Sequence, residues 1–391
     1  MRRSGQKCGG LLPALILCAL LAAAAAVIAG RASLPTQTPG SAGADASAAG
    51  SPSVQTEGGK TAGAAEAGDD ASAVGSFPVP EDAASGAAPA GEAVQRPLRE
   101  LSVSEDNLDP SLFETAREQG HVELVQYASR DRVSGGEMTV MKDLAVYLPY
   151  GYDERRQYNV LILLHCAWAD HRFWLVEERD YATADGSIAV SVPNMLDRMI
   201  EEGWCEPLIV VSPCIYLYDH QPSVAGNQYD YLQFTREFGQ DLLPFLAENY
   251  ATFASDGSRE ALSAAREHFG LLGASFGAYA EYISVIGDSF DLAAWYAFCG
   301  GGTLDPGWLT ACWEQNGTRD LPLRMLYIAE GEFDDRYAPE SSYFNLLYYG
   351  ENCGGPFGPE NVRYTLIRGW GHEDHSYLVG LFNTLQLFFR S

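Results

Sequence analysis

The stretch Leu271-Leu272-Gly273-Ala274-Ser275-Phe276-Gly277-Ala278-Tyr279 decides how this chain is read. An apolar segment runs into Gly-x-Ser-x-Gly and then into small residues that continue as a helix. The pattern describes a serine on a strand-to-helix turn so tight that glycines must flank it. Ser275 then stands at the carboxyl end of a buried strand, where open α/β sheets bind their ligands. The next amide, of Phe276, points from a helix N-terminus toward any oxyanion forming on a bound acyl group. In a chain with 40 glycines the bare pattern is weak, so its strand and helix flanks carry the inference.

Those flanks repeat along the chain. Residues 158–165 (YNVLILLH) form a near-continuous apolar run, as a parallel strand covered on both faces requires. Residues 208–213, 268–275, 292–299, 321–329 and 362–368 follow the same pattern. Between them, 193–203, 231–250, 276–287, 341–349 and 377–390 carry helical spacing of apolar residues. Two earlier strands, 122–128 and 143–149, alternate apolar and polar residues as half-buried strands do. Asp109-Pro110-Ser111 predicts a capped short helix to about residue 119, and the polar insert 254–265 a loop with a helical turn. Strands alternating with helices predict an α/β fold: a mostly parallel central sheet with helices on both faces.

The N-terminal part is of another kind. Met1-Arg2-Arg3 with Lys7, followed by an apolar run at 11–29, gives 1–30 the form of a signal peptide or signal anchor. The run is long enough to tether the chain to a membrane, and Ala26, Ala29 and Ala32 offer cleavage points. Residues 31–97 are rich in Ala, Gly, Ser and Pro with scattered acids, and predict a disordered linker that holds a folded head (98–391) away from the cell surface. Secretion or anchorage outside the cell follows. A net charge of −27 argues against nucleic acid and anionic membrane surfaces as partners, and keeps an exported protein soluble.

Eight cysteines are present, with Cys8 and Cys18 in the targeting segment. Cys166, Cys205, Cys214, Cys299, Cys312 and Cys353 are scattered without a C-x-x-C pair, which argues against a zinc ribbon or thioredoxin motif. Cys299 and Cys312 are close enough in sequence to bridge, although free buried thiols are the commoner state.

A serine hydroxyl attacks only when a base takes its proton and an acid orients that base. After an elbow serine the acid and then the histidine follow in the chain. His372 and His375 are the only histidines beyond Ser275. His372 directly follows a strand, in Gly369-Trp370-Gly371-His372, and is the better placed; His375 is the fallback. The preceding strand ends in Glu330-Gly331-Glu332-Phe333-Asp334-Asp335, whose four carboxylates composition cannot separate. A second oxyanion amide belongs to the loop His165-Cys166-Ala167-Trp168-Ala169, at Ala167. Cysteine at 166 would be strained if the backbone there needs a glycine conformation.

From about Val122 onward the chain resembles the esterase branch of the α/β-hydrolases. That branch holds the feruloyl and acetyl-xylan esterases of carbohydrate esterase family 1, esterase D and the mycolyltransferases. The matching stretches are Val146-Tyr147-Leu148-Pro149 with Gly151-Tyr152, Leu161-Ile162-Leu163-Leu164-His165 and Trp174. Glu206-Pro207 with 208–213, residues 245–250, the Gly273–Gly277 elbow and Gly371-His372 complete them, in the expected order over about 270 residues. The resemblance implies an α/β-hydrolase fold and carries the family's Gly-x-x-Asp onto Gly331-Glu332-Phe333-Asp334, which selects Asp334 as the acid. The departures are Cys166-Ala167-Trp168-Ala169 for a glycine-rich loop, and Phe276 where methionine is common.

The sequence thus implies an exported serine esterase of feruloyl or acetyl-xylan type, with Ser275, Asp334 and His372 as catalytic residues and the Phe276 and Ala167 amides as oxyanion donors. No metal or organic cofactor is needed; the partner is an ester substrate, on a polysaccharide or oligosaccharide. Trp168, Tyr216, Tyr218 and Trp370 either stack on an aromatic acyl group or sugar, or pack the loops onto the core. Two alternatives stand beside this: a catalytically weak relative kept as a surface carbohydrate-binding or interaction domain, and an acyltransferase with the same triad.

Overall fold

The computed structural model describes residues 97–390 apart from 133–137, 184–185, 218–232, 302–303 and 335–338. The expected signal (1–30), the tether (11–29), Tyr218 and all of the linker except Pro97 lie outside the described residues. Among the described residues no helix is long and apolar enough to cross a membrane.

The apolar runs become the middle of the sheet. β3 (Val160–Leu164), β6 (Ile209–Pro213), β7 (Phe269–Ala274), β8 (Trp295–Cys299) and β9 (Met325–Gly331) are buried at every residue. Complete burial of one such Leu or Ile stabilises the fold by about 1.5–3 kcal/mol. β1 (His121–Arg130), β2 (Thr139–Leu148) and β10 (Val362–Ile367) have exposed positions, as outer strands do. The eight strands run in the order β1-β2-β6-β3-β7-β8-β9-β10. β1 and β2 pair antiparallel, from His121 opposite Leu148 to Arg130 opposite Thr139, and β2 pairs antiparallel with β6. All other neighbours are parallel.

Side-chain alternation along the parallel strands feeds two cores, one on each face. Ile162, Leu164, Leu271, Phe298 and Ile328 enter one, with Phe238, Leu246, Leu309 and Trp313. Leu161, Leu163, Leu272, Ala297 and Tyr327 enter the other, with Met195, Met199, Leu378 and Phe382. The sheet order holds one crevice that matters here. From β3 the chain crosses to β6 on one side, then returns to β7 on the other. The connections therefore diverge between the carboxyl ends of β3 and β7, where doubly wound sheets take their ligands.

The helices are α1 (Arg172–Leu175), α2 (Val192–Glu201), α3 (Leu243–Asn249), α4 (Arg259–Ala264), α5 (Phe276–Ala280), α6 (Pro306–Asn316), α7 (Pro339–Cys353) and α8 (Asp374–Leu387). Three differ from the sequence expectation. The helix expected over 231–250 carries a π turn at Phe238–Leu242 just before Pro244, which has no N–H for the regular ladder. The helix expected over 276–287 is α5 followed by a second π turn, Glu281–Ile286. The segment at 110–119 makes only a 3₁₀ turn, Pro110–Phe113, capped by Asp109 as expected. Three features have no counterpart in the sequence reading: the short α1, α6, and the hairpin of β4 (Arg179–Thr183) with β5 (Gly186–Val190). Cys299 and Cys312 are free thiols and do not bridge.

Candidate active site

Ser275 follows β7 directly and is held at φ 53°, ψ −110°. Positive φ is uncommon for a residue with a side chain and costs on the order of 1–3 kcal/mol. The neighbours enforce it: the Ser275 amide donates to the Cys299 carbonyl (2.9 Å), and the Ser275 carbonyl accepts from the Ala278 amide (3.1 Å). The flanking glycines are there for close approach. A Cβ on Gly273 would lie 2.4 Å from the Ala278 nitrogen, and one on Gly277 would lie 2.4 Å from the Leu164 carbonyl oxygen. α5 can therefore press onto β3 and β7, leaving the serine at the crevice with 7% of its surface exposed.

Past β9, the chain turns with the Asp334 amide donating to the Gly331 carbonyl (3.0 Å). The Asp334 carboxylate is wholly buried, and its Oδ2 lies 2.6 Å from His372 Nδ1. His372 Nε2 lies 2.8 Å from Ser275 Oγ. A Cβ on Gly331 would meet the Gly371 carbonyl at 2.5 Å, so the acid loop and the histidine loop touch backbone to backbone. Gly300, at φ 59°, has its virtual Cβ 3.0 Å from His372 Nδ1 and 3.2 Å from Asp334 Oδ2; any side chain there would wedge into the pair. The buried Tyr377 ring stands edge-on to His372 (5.6 Å, 89°). Burial pushes its phenol well above the usual range, with the Ser275 side chain as a hydrogen-bond neighbour.

The other carboxylates of this turn go elsewhere. Glu332 accepts from the Gly369 amide (2.8 Å). Glu330 is buried in β9, and its carboxyl is pushed up to about 8 by burial and then by the nearby Asp334 charge. Asp335 lies outside the described residues. His375, the fallback base, is stacked between Trp370 (3.7 Å) and Tyr181 (4.2 Å), and its Nε2 lies 3.2 Å from the Asp106 carbonyl.

The loop after β3 is fixed by His165, which is fully buried. The Ile215 amide donates to His165 Nε2 (2.9 Å), so the proton sits on Nδ1 and is donated to the Cys166 carbonyl (2.8 Å). Burial holds this imidazole down at about 4, so it is neutral. The strain expected at Cys166 is absent. Among the described residues the side-chain-bearing positions with positive φ are Trp168, Ser275 and Phe389. Trp168, at φ 69°, takes the left-handed turn that glycine takes elsewhere. Its amide donates to the Tyr216 hydroxyl (3.2 Å).

The expected aromatic rim is divided in the same way. Trp168 is 67% exposed, whereas Tyr216 is 2% exposed and packs edge-on to His165 (5.1 Å) and against Phe276 (5.6 Å). Trp370 is half-buried on His375. For Tyr216 and Trp370 the structure favours packing over an open rim. Among the described residues no group of His, Cys, Asp and Glu is arranged to hold a metal ion. A cleft of about 570 Å³ lies at the opposite end of the sheet, lined by Tyr147, Tyr158, Asn159 and Pro207, away from Ser275.

The strand order, with its antiparallel outer strands and parallel centre, is that of an α/β-hydrolase fold. Among solved structures the chain is similar to the feruloyl esterase module of Clostridium thermocellum, solved as an S954A mutant with sinapinate. There the TM-score is 0.60 at 21% identity, over 74% of this chain and 95% of the module. It is also similar to the CE1 ferulic acid esterase of the anaerobic fungus Anaeromyces mucronatus, solved with ferulic acid: TM-score 0.55 and 18% identity, over 74% and 98%. In sequence it is 31% identical over 155 residues to endo-1,4-beta-xylanase Y of Acetivibrio thermocellus, covering 40% of this chain and only 12% of that protein. No family model matches the chain.

Proposed function

We propose that this chain is a serine esterase that hydrolyses feruloyl or acetyl esters on plant-type polysaccharide or oligosaccharide. The observation that carries the reading is the line Ser275 Oγ–His372–Asp334, with contacts of 2.8 and 2.6 Å, at the crevice of the sheet. His372 Nε2 takes the hydroxyl proton as Ser275 attacks the ester carbonyl, and Asp334 holds Nδ1–H and stabilises the imidazolium. The tetrahedral oxyanion is met by the Phe276 and Ala167 amides. His372 then returns the proton to the leaving alcohol. Water, deprotonated by the same imidazole, releases the acid from the acyl-serine.

The substrate class is supported by the neighbours, which include feruloyl esterases crystallised with hydroxycinnamates and a xylanase. Export, with release or anchorage through 11–29, is supported by the N-terminal sequence. The weak-relative alternative drew on strain at Cys166, and the unstrained backbone there removes that motive. The test compares the protein with Ser275→Ala on nitrophenyl acetate and methyl ferulate. Turnover by the parent and loss of at least a thousandfold in the variant is expected, on the order of what removing a triad nucleophile costs. Equal rates for the two proteins would overturn the reading.

A further inference from the structure

Two large aromatic rings stand in water on either side of Ser275, and the mechanism uses neither. Trp168, in the loop after β3, is 67% exposed, and Phe333, in the loop after β9, is 68% exposed. Three inter-strand steps separate β3 from β9, so the strand ends from which the two loops leave are roughly 14 Å apart, with β7 and the serine that follows it between them. Neither ring is on a loose loop. The Trp168 backbone is pinned by its amide on Tyr216 and by the turn at φ 69°. The Phe333 amide donates to the Trp370 carbonyl (2.8 Å), and the next residue, Asp334, is anchored on His372. Ordering an exposed aromatic ring without burying it forgoes the gain such a ring normally makes.

The geometry points to Trp168 and Phe333 as two stacking platforms for an uncharged sugar chain that lies across the serine. A sugar ring offers an apolar C–H face to an aromatic ring and keeps its hydroxyls in water, so it pairs with a ring standing alone on a polar surface. A protein partner needs a contiguous patch of about 800 Å², which two separated rings do not supply. Exposed Glu332 and Glu373 flank Phe333 and its histidine loop, and the chain carries −27 overall, which disfavours polyanionic chains. The orientation of the chain relative to the ester rests on the esterase reading above; the stacking itself does not require turnover.

The test uses the full chain carrying Ser275→Ala, titrated calorimetrically with a neutral xylo-oligosaccharide and with an oligogalacturonate. Trp168→Ala and Phe333→Ala should each weaken binding of the neutral chain about tenfold, the scale of one stacked ring. Trp168→Phe and Phe333→Tyr, which keep a ring and the fold, should retain most of the affinity. Oligogalacturonate should not bind. Undiminished affinity in both alanine variants, no binding by the Ser275→Ala parent, or equal affinity for the anionic chain would overturn the inference. A protein that hydrolyses no ester yet binds the neutral chain through both rings would sink the esterase reading and leave this inference standing. Hydrolysis with ring-independent binding would do the reverse.

Discussion

Replacing Asp334 by Asn tests the proposed relay at its most buried member. The carboxylate has no exposed surface, and its Oδ2 lies 2.6 Å from His372 Nδ1. When Ser275 passes its proton to Nε2, the imidazole ring becomes a cation whose centre lies about 4 Å from the carboxylate. At an effective dielectric of about 20 that attraction is worth about 4 kcal/mol. Losing it slows the chemical step about a thousandfold. A second effect adds to the first. The Asn amide can donate to Nδ1, which moves the imidazole proton to Nε2, the nitrogen that must accept from Ser275. Asp334→Asn should therefore lower kcat/KM for nitrophenyl acetate by at least a thousandfold at pH 7. The assay is paired with circular dichroism and thermal unfolding, because Asn is nearly isosteric and the fold should survive. A folded variant within about tenfold of the parent would refute the assignment of Asp334 and return the role to another carboxylate of the 330–335 turn.

Cys166→Gly should lower Tm by a few degrees and leave kcat no higher. Cys166 is not at positive φ, and a new glycine costs about 0.5–1 kcal/mol of backbone entropy; a faster enzyme would contradict this. Glu237→Gln strands Lys142, whose ammonium is buried against that carboxylate beside the Tyr127 hydroxyl. The expected loss is about 3–5 kcal/mol, or about 10 °C in Tm for a domain of this size, and a shift under about 2 °C would argue against an uncompensated charge. Two buried groups pull the pH dependence of stability in opposite directions. His165, held down at about 4, contributes stability that is complete above about pH 6.5 and lost as the pH falls toward 4, because the unfolded chain binds the proton first. Glu330, pushed up to about 8, makes the fold lose stability as the pH rises from about 4.5 to 8, because the unfolded chain ionises first. In calorimetric scans from pH 4 to 8.5, His165→Gln should flatten the acid side and Glu330→Gln the neutral side; unchanged slopes would refute the assignments.

Much of the central architecture is legible in composition along the chain. β3, β6, β7, β8 and β9 coincide with the apolar runs because a strand covered on both faces favours apolar side chains at nearly every position. α6 escaped because only Leu309, Thr310 and Trp313 face the core, too few to make a period. Its ends were nevertheless written in Asp305-Pro306 and Gly317, a capped start and a left-handed stop. The β4–β5 hairpin is half-buried along β4 and exposed along most of β5, and carries little alternation to read. Nothing in the sequence marks Phe333, because composition does not say which aromatic rings the fold buries, and only the fold reveals that this one is left in water.

The amino-acid sequence by itself determined the strand–helix alternation, the elbow at Ser275 and the order in which acid and histidine follow it, since each depends on local composition and spacing. It named four carboxylates and two histidines without choosing between them on chemistry. Which of them lie within reach of Ser275 is decided by tertiary structure, because contact between residues tens of positions apart depends on the backbones approaching. Gly331 against Gly371 and Gly300 beside His372 allow Asp334 to reach His372, while Trp370 and Tyr181 close over His375. The same is true of Cys166, where residue type suggested strain and the folded loop moved the positive φ two residues on, to Trp168.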